Sequence, residues 1–214
     1  MNNQLKVLMK YRYRGVWREK FVTLGSVADR TRDGKYRERV EAVRGGAMVP
    51  TDIGMACGPT AAEYLPAVYP AEGPTGYTGL VLLSLRVEQG VEVLEQLRRR
   101  VNVWPQVLLS FVGTSGQSLK VLIPYRLTGG GLPATAPQTS LFRQYAYKRA
   151  AEYVYGSTGF RAEEVVPDGS EHFRLSADEQ MYYNPEALPI EMAQPTEPLT
   201  ALTAPLVSRP AEVR

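Results

Sequence analysis

Two apolar runs joined by a short segment of small residues form the clearest pattern in the chain. Residues 107–112 and 119–123 are rich in aliphatic and β-branched side chains, which favour strands. The residues between them, from Gly113 to Ser118, are small and mostly polar, which is typical of tight turns. The pattern therefore predicts a β-hairpin, and Pro124 is expected to end its second strand.

The segment before this hairpin predicts a strand followed by a helix. Residues 77–87 contain an uninterrupted aliphatic stretch, as expected of a strand whose two faces are both covered. Residues 87–101 predict a helix, because apolar side chains recur there at helical spacing, at Val91, Leu94, Leu97 and Val101. Together with the hairpin, these segments predict a β-α-β crossover.

Shorter patterns predict the other elements. They are a strand over 4–13 with a partner at 21–24, a helix capped by Ser26 or Asp29 that continues through Arg44, a helix over 140–155, and a final pair of strands over 172–176 and 181–183. The order predicts one α+β domain over residues 1–185, with helices packed on a mixed sheet. Residues 186–214 are rich in Pro, Thr, Ala and Glu with little periodicity, and we expect an extended or disordered tail.

Composition narrows the possible compartments and sites. The 214 residues include no run of about 18 apolar residues and no signal-peptide pattern, so we expect a cytoplasmic protein without a membrane partner. Cys57 and His172 are the only cysteine and the only histidine. An internal disulfide and a cysteine-built zinc or iron–sulfur site are therefore excluded, and a metal site would rest mainly on carboxylates, which favours magnesium or manganese.

Positive charge is concentrated near the start of the chain. The net charge is only +3, but the first fifty residues contain twelve Lys or Arg against five Asp or Glu. Aromatic side chains are interleaved with these charges, at Tyr11, Tyr13, Trp17 and Tyr36. One interpretation is an arm that follows a polyanion, with charges on phosphates and rings on bases. The other is a strand and a helix whose charged faces are merely solvated.

The turn of the predicted hairpin offers a second candidate for anion binding. A turn of small residues can present several backbone N–H groups to a phosphate, and Lys120 lies at its edge. An ordinary hairpin turn remains the alternative, because Thr-Ser-Gly turns are common.

Three segments, taken in order, resemble a known family. They are YTGLVLLSLRV (77–87), VLLSFVGTSGQSLKVLIPY (107–125) and EHFRLSADEQMYYNP (171–185). These segments are similar to the core blocks of the primase-like N-terminal domain of VirE-type proteins from Bacteroides mobile elements, within the archaeo-eukaryotic primase, or primase-polymerase, superfamily. Residues 44–55 also resemble that family's Arg-rich helix and the Pro-containing strand after it. The resemblance spans roughly residues 29–185 and implies an RRM-like core.

The resemblance also implies what chemistry to expect. In active members, an Asp-x-Asp motif at the end of the central strand holds divalent metal ions that bridge nucleotide phosphates. Ser84 and Arg86 stand at those two positions here, so the resemblance implies that the metal motif is lost. The resembled family has a lysine in the hairpin, and Lys120 matches it. A third metal-binding acid would fall at Glu163, Glu164 or Asp168.

The favoured function is a catalytically degenerate primase-polymerase-like domain from a mobile-element or phage-like replication context. It would bind nucleic acid, with single-stranded DNA favoured, or nucleotide phosphates, and it would need no cofactor. The expected phosphate-binding residues are Ser115, Gly116, Lys120, Arg86 and Arg174. The sequence identifies no protein partner.

Two alternatives remain open. One is an active primase or polymerase that holds Mg or Mn through displaced acids such as Glu88 with Glu163 or Glu164. The other is a structural or partner-binding protein in which the former cleft is filled. Arg86 has two interpretations as well: a replacement for the positive charge of the metal, or a side chain that emerges into solvent.

Overall fold

The computed structural model describes residues 4–51, 54–57, 62, 64–165 and 167–199. The fold is α+β, as predicted. In chain order its elements are β1 (Lys6–Tyr13), β2 (Val16–Thr23), α1 (Leu24–Arg32), α2 (Arg37–Gly45), β3 (Met48–Thr51), β4 (Gly54–Cys57), β5 (Ala67–Tyr69), β6 (Glu72–Gly73), β7 (Gly76–Tyr77), β8 (Leu80–Arg86), α3 (Val91–Asn102), β9 (Leu109–Val112), β10 (Ser118–Leu127), α4 (Ala136–Thr158), β11 (Phe173–Arg174), β12 (Tyr182–Tyr183) and β13 (Ile190–Met192). None of the helices in these ranges combines the length and apolar character that a membrane span requires.

Two larger sheets organise the chain. The first, sheet I, has the strand order β11-β5-β1-β2, and all of its neighbouring strands are antiparallel. In the second, sheet II, β10 pairs antiparallel with both β8 and β9. The strands β8 and β9 therefore run parallel with β10 between them, so the predicted β-α-β unit is present with a third strand inserted. β12 extends sheet II beside β9, and β13 runs parallel to the end of β10.

Side chains alternate between the two faces of β10 and so divide the core in two. Leu119, Val121 and Ile123 pack in a cluster with residues of α3 and α4. Leu122 points the other way, into a cluster that sheet I and α1 complete. The rings of Phe111 and Phe173 meet in this second cluster with centroids 4.9 Å apart. Lys120 has the same parity as Leu122 and therefore lies on the face of sheet II that looks toward sheet I.

The predicted single helix ending at Arg44 was wrong, because two helices occupy that range. The N-cap of α1 is Thr23, whose Oγ1 accepts the Ser26 N–H at 3.2 Å, so neither Ser26 nor Asp29 is the cap. Gly34 follows α1 with φ +66°, a left-handed conformation that interrupts a helix. The second helix, α2, then ends against Gly46 at φ +67°.

The ranges 172–176 and 181–183 each contain a strand, as predicted, but the expectation that these two strands form a pair was wrong. β11 pairs with β5 in sheet I, and β12 pairs with β9 in sheet II. Residues 175–181 cross from one sheet to the other, because Asp178 between the two strands is hydrogen-bonded to β9 and to α3.

Pro124 does not end the second strand of the hairpin, contrary to expectation. β10 continues to Leu127, because Pro124 lies at a position where no hydrogen bond to a neighbouring strand requires the N–H that proline lacks. Pairing with β9 stops at Leu122, and pairing with β13 begins at Tyr125.

The predicted tail is described only as far as residue 199. Within this range, β13 pairs with β10, and Met192 is buried. The predicted domain boundary at residue 185 stays a prediction, and residues 200–214 lie outside the described part of the chain.

Candidate functional site

A polar pair lies beside apolar side chains on the inner face of sheet II. Ser84 of β8 and Lys120 of β10 are direct cross-strand partners. The Lys120 Nζ donates a hydrogen bond to Ser84 Oγ at 2.7 Å. Burial lowers the pKa of Lys120 below its ordinary value, while the negative charge of Glu163 acts in the opposite direction. The site therefore holds an ammonium group that is largely removed from water.

Glu163 extends this pair into a row across the sheet. Ala162 forms an isolated bridge with Leu85, and the Glu163 N–H donates to the Ser84 carbonyl at 2.9 Å. Of the three acids that the sequence left open, Glu163 is therefore the one beside Ser84. Glu164 lines a groove along α4, and Asp168 accepts a hydrogen bond from the Ser170 N–H at 2.7 Å. We call Glu163, Ser84 and Lys120 the Lys120 row.

The hairpin turn closes over one end of the row. A Cβ on Gly113 would collide with Ser118 Oγ at 2.6 Å and lie 3.3 Å from Lys120 Cε, so the glycine allows both side chains to approach the turn closely. The turn satisfies several of its own polar groups: Gly116 N–H donates to the Gly113 carbonyl at 3.0 Å, and Ser115 Oγ accepts the Gln117 N–H at 3.2 Å. Ser115 and Gly116 thus shape the turn next to Lys120.

Arg44 is a residue of this site that sequence reasoning did not select. It extends from the end of α2, and its Nη2 donates to the Gly113 carbonyl at 3.2 Å. The same nitrogen lies 3.5 Å from Ser176 Oγ and 3.4 Å from the Ala177 carbonyl. Its position in the Arg-rich segment was the available signal, but nothing in the local pattern distinguishes it from the neighbouring arginines.

Arg86 lies two residues beyond Ser84, at the end of β8 and on the same face of the strand. Its side chain is 63% exposed and forms an ion pair with Glu88, with 3.0 Å between Nε and Oε1. Arg86 is therefore a surface cation next to the row, and Glu88 is already engaged by it.

Arg174 lies elsewhere. Its neighbour Phe173 points into the core between the sheets, so Arg174 faces the opposite side of sheet I. There its Nη1 donates to the Leu65 carbonyl at 3.0 Å. Four of the five predicted phosphate-binding residues thus come together around the Lys120 row, and Arg174 does not.

A buried ion pair supports the other side of the hairpin. Arg98 of α3 binds both carboxylate oxygens of Asp178, at 3.1 and 3.0 Å, and the Val112 N–H donates to Asp178 Oδ2 at 2.7 Å. Both side chains are less than a tenth exposed. This geometry holds the late segment and the hairpin together. Among the residues described, no group of three or more His, Cys, Asp or Glu side chains is placed to hold a metal ion.

Comparison with known proteins identifies a family. The family model of the BT4734-like, N-terminal domain matches residues 64–183, which is more than half of the chain. The matched range includes β8, the hairpin and Asp178, but not Arg44. No curated protein and no solved structure matches the chain.

Proposed function

The chain belongs to the BT4734-like N-terminal domain family, and from that premise we propose that it is a catalytically degenerate primase-polymerase-like domain. In this proposal it binds nucleic acid, single-stranded DNA in the first place, or nucleotide phosphates. The biological context would be the replication of a mobile element or a phage-like element.

The observation that carries this proposal is the hydrogen bond from Lys120 to Ser84. Ser84 stands where an active relative would have a metal-binding acid, and the Lys120 ammonium occupies the adjacent space. A dication bridges phosphate to a carboxylate, whereas an ammonium attracts phosphate directly as a point charge. The row therefore favours phosphate binding without a metal.

Two further cations support the same proposal. Arg44 lies against the hairpin turn on one side, and Arg86 is exposed at the end of β8 on the other. Arginine suits phosphate because its planar group offers paired donors. A backbone that passes over the hairpin could contact both arginines and Lys120.

The active-enzyme alternative has one supporting observation, which is the position of Glu163 beside Ser84. A two-metal mechanism needs more than one carboxylate at the reacting phosphate. Glu88, the other displaced acid, is paired with Arg86. We therefore prefer the binding function and treat catalysis as an outcome of the test.

The test is a titration of the full chain with fluorescent single-stranded DNA and with a fluorescent deoxynucleoside triphosphate. It is run at low and moderate salt, with and without manganese. We expect binding that weakens with salt and does not need metal. Lys120→Met should weaken binding of the triphosphate about tenfold, because it removes one charge-assisted contact. Lys35→Met is the matched control, since Lys35 is an exposed lysine in the turn between α1 and α2.

Each other result contradicts the proposal in a specific way. A requirement for manganese, with incorporation of nucleotides, would establish the enzyme. Equal weakening by Lys35→Met and Lys120→Met would show that only net charge matters. An absence of binding under every condition would favour the structural or partner-binding role.

A further inference from the structure

We propose that the outer face of the β1–β2 hairpin is a second site, which binds single-stranded nucleic acid by stacking bases on Trp17 and Phe21. This surface lies on the side of sheet I away from the core, whereas the Lys120 row lies on sheet II. It does not depend on the proposed function of that row.

The first observation is exposure. β2 is the edge strand of sheet I, and its first six residues, Val16 to Phe21, are all exposed. Trp17 is 53% exposed and Phe21 is 46% exposed. Single exposed rings are common on protein surfaces, but two on one face of one strand form a patch.

The strand register places cations beside these rings. Trp17, Glu19 and Phe21 alternate with the other residues of β2 and share one face. Arg12 is the cross-strand partner of Trp17, and Lys10 is that of Glu19. Four residues along a strand span about 13 Å, so the two rings are far enough apart to contact different nucleotides.

The same face continues onto the neighbouring strands. Trp17, Lys10, Tyr69 and Arg174 line one open depression. Lys10 Nζ lies 4.9 Å from the centre of the Tyr69 ring, and the His172 ring stacks on Tyr69 at 4.9 Å. Aromatic rings and cationic side chains thus alternate along this surface from β2 through β5 to β11. Arg174 is one of these cations.

Charge identifies the class of ligand. Glu19 is the one acid between residues 6 and 23, and it shares the outer face with three basic residues of β1: Lys6, Lys10 and Arg12. The acid is paired with Lys10 at 3.1 Å. The remaining excess of positive charge favours a polyanion.

The two faces of the hairpin differ in what covers their rings. On the inner side, Lys20 lies 4.9 Å from the centre of Tyr11, and Arg18 lies 5.5 Å from that of Tyr13. Within the described part of the chain, no cation stands over Trp17 or Phe21. Both rings are about half exposed, so bases can reach them. A base can stack on a ring only where it is unpaired, which favours a single strand over a duplex.

Intrinsic fluorescence can test the site directly, because Trp17 and Trp104 are the only tryptophans. In the full-length Trp104→Phe variant, Trp17 is the sole reporter. Titration with oligothymidylate of about 15 nucleotides should quench its emission. The double variant Trp17→Ala and Phe21→Ala lacks this reporter, so its affinity is measured with fluorescently labelled oligothymidylate. It should bind at least about tenfold more weakly than the unaltered chain, since each stacked ring contributes about fivefold or more.

Tyr155→Ala supplies the matched control, because Tyr155 of α4 is also 46% exposed and lies outside the hairpin. This variant should bind as the unaltered chain does. The Trp17, Phe21 and Tyr155 variants should retain the circular dichroism spectrum and melting temperature, because these three rings are exposed. Oligouridylate tested in parallel distinguishes DNA from RNA, and either ligand supports the site.

Several results would overturn the inference. They are unchanged affinity in the Trp17 and Phe21 double variant, tighter binding of a duplex than of the single strand, or a blue shift of Trp17 with phosphatidylserine vesicles but no response to oligonucleotide. Lys120→Met should leave the quenching of Trp17 intact. Loss of binding in Lys120→Met alone would contradict the hairpin site and support the Lys120 row, and the reverse pattern would do the opposite.

Discussion

At the scale of single residues, Lys120 differs from most lysines, because its ammonium group donates its hydrogen bond to a neutral hydroxyl. Ser84 Oγ is its hydrogen-bond acceptor in the structure, and Glu163 acts on it through its charge. Protonation of a lysine that is removed from water, and that has no carboxylate in direct contact, costs free energy. A bound anion would lower this free-energy cost, because it would place a negative charge beside the Lys120 ammonium.

The pH dependence of folding should reveal this cost. Because burial lowers the pKa of Lys120 in the folded chain, the unfolded chain binds more protons between that lowered pKa and the ordinary value of 10.5. The free energy of unfolding contributed by Lys120 therefore rises with pH across this window, and the penalty is complete below it. Lys120→Met should be more stable than the unaltered chain near neutral pH, and the difference should shrink as pH approaches 10.5. Urea denaturation at a series of pH values measures it.

Lys35→Met again provides the control, because it removes the same charge from an exposed position. A stability difference between Lys120→Met and the unaltered chain that stays constant with pH would contradict the expectation. In that case burial would not perturb the Lys120 ammonium.

The local part of the site could be predicted from the sequence, and the distant part could not. Ser115, Gly116 and Lys120 lie in one hairpin, so their proximity follows from the two apolar runs around them. Arg44 reaches the same turn from α2, and Glu163 reaches Ser84 through an isolated bridge. Such contacts depend on how elements pack, and no periodicity within either segment indicates them.

At the scale of elements, the start of β8 depends on a close approach of two backbones. Gly79 precedes β8 with φ +78°, and its carbonyl accepts the Tyr125 N–H at 2.8 Å. A Cβ at this position would collide with the Tyr125 carbonyl oxygen and lie 2.7 Å from Leu132 Cδ2. The glycine therefore allows β8 and β10 to meet.

Gly79→Ala should lower the free energy of unfolding by two separate effects. The left-handed conformation costs a residue with a Cβ about 1–2 kcal/mol. Overpacking against Tyr125 and Leu132 adds about 1–3 kcal/mol. Gly129→Ala isolates the first effect, because Gly129 has φ +86° but a Cβ there would meet nothing within 4 Å. Denaturant unfolding of both variants measures the difference, and equal losses would show that the collision is relieved by a shift of the backbone.

Elements with long periodic patterns could be predicted better than those that tertiary contacts define. The apolar runs located β8, β9 and β10, and the apolar stripe located α3. The order of the three strands in sheet II, β8-β10-β9, was not predictable, because it depends on pairing between strands that are distant in the sequence. The two-residue strands β11 and β12 were assigned to each other, although each is completed by a different sheet.

At the scale of the whole molecule, the segment from Leu175 to Met181 connects the layers. Asp178 joins three elements: its N–H donates to the Thr31 carbonyl of α1 at 3.0 Å, and its carboxylate binds Arg98 of α3 and the Val112 N–H of β9. One residue thus links α1, which packs in the cluster between the two sheets, to α3, which packs on the opposite face of sheet II. These bonds hold the hairpin in position against α1 and α3.

Asp178→Ala should therefore be among the more damaging substitutions in the chain. Among the described residues, the change leaves the buried Arg98 guanidinium with Glu95 as its remaining ion-pair partner, at 3.2 Å. It also removes the acceptor of the Val112 N–H. Breaking a buried pair on one side costs about 3–5 kcal/mol. Its neighbour Glu179 is the matched control, because it pairs with Arg37 while 67% exposed, and an exposed pair contributes at most about 1 kcal/mol. Urea denaturation of both variants checks the contrast. Similar small losses would mean that water or Glu95 replaces Asp178, and that the layers are joined by apolar packing alone.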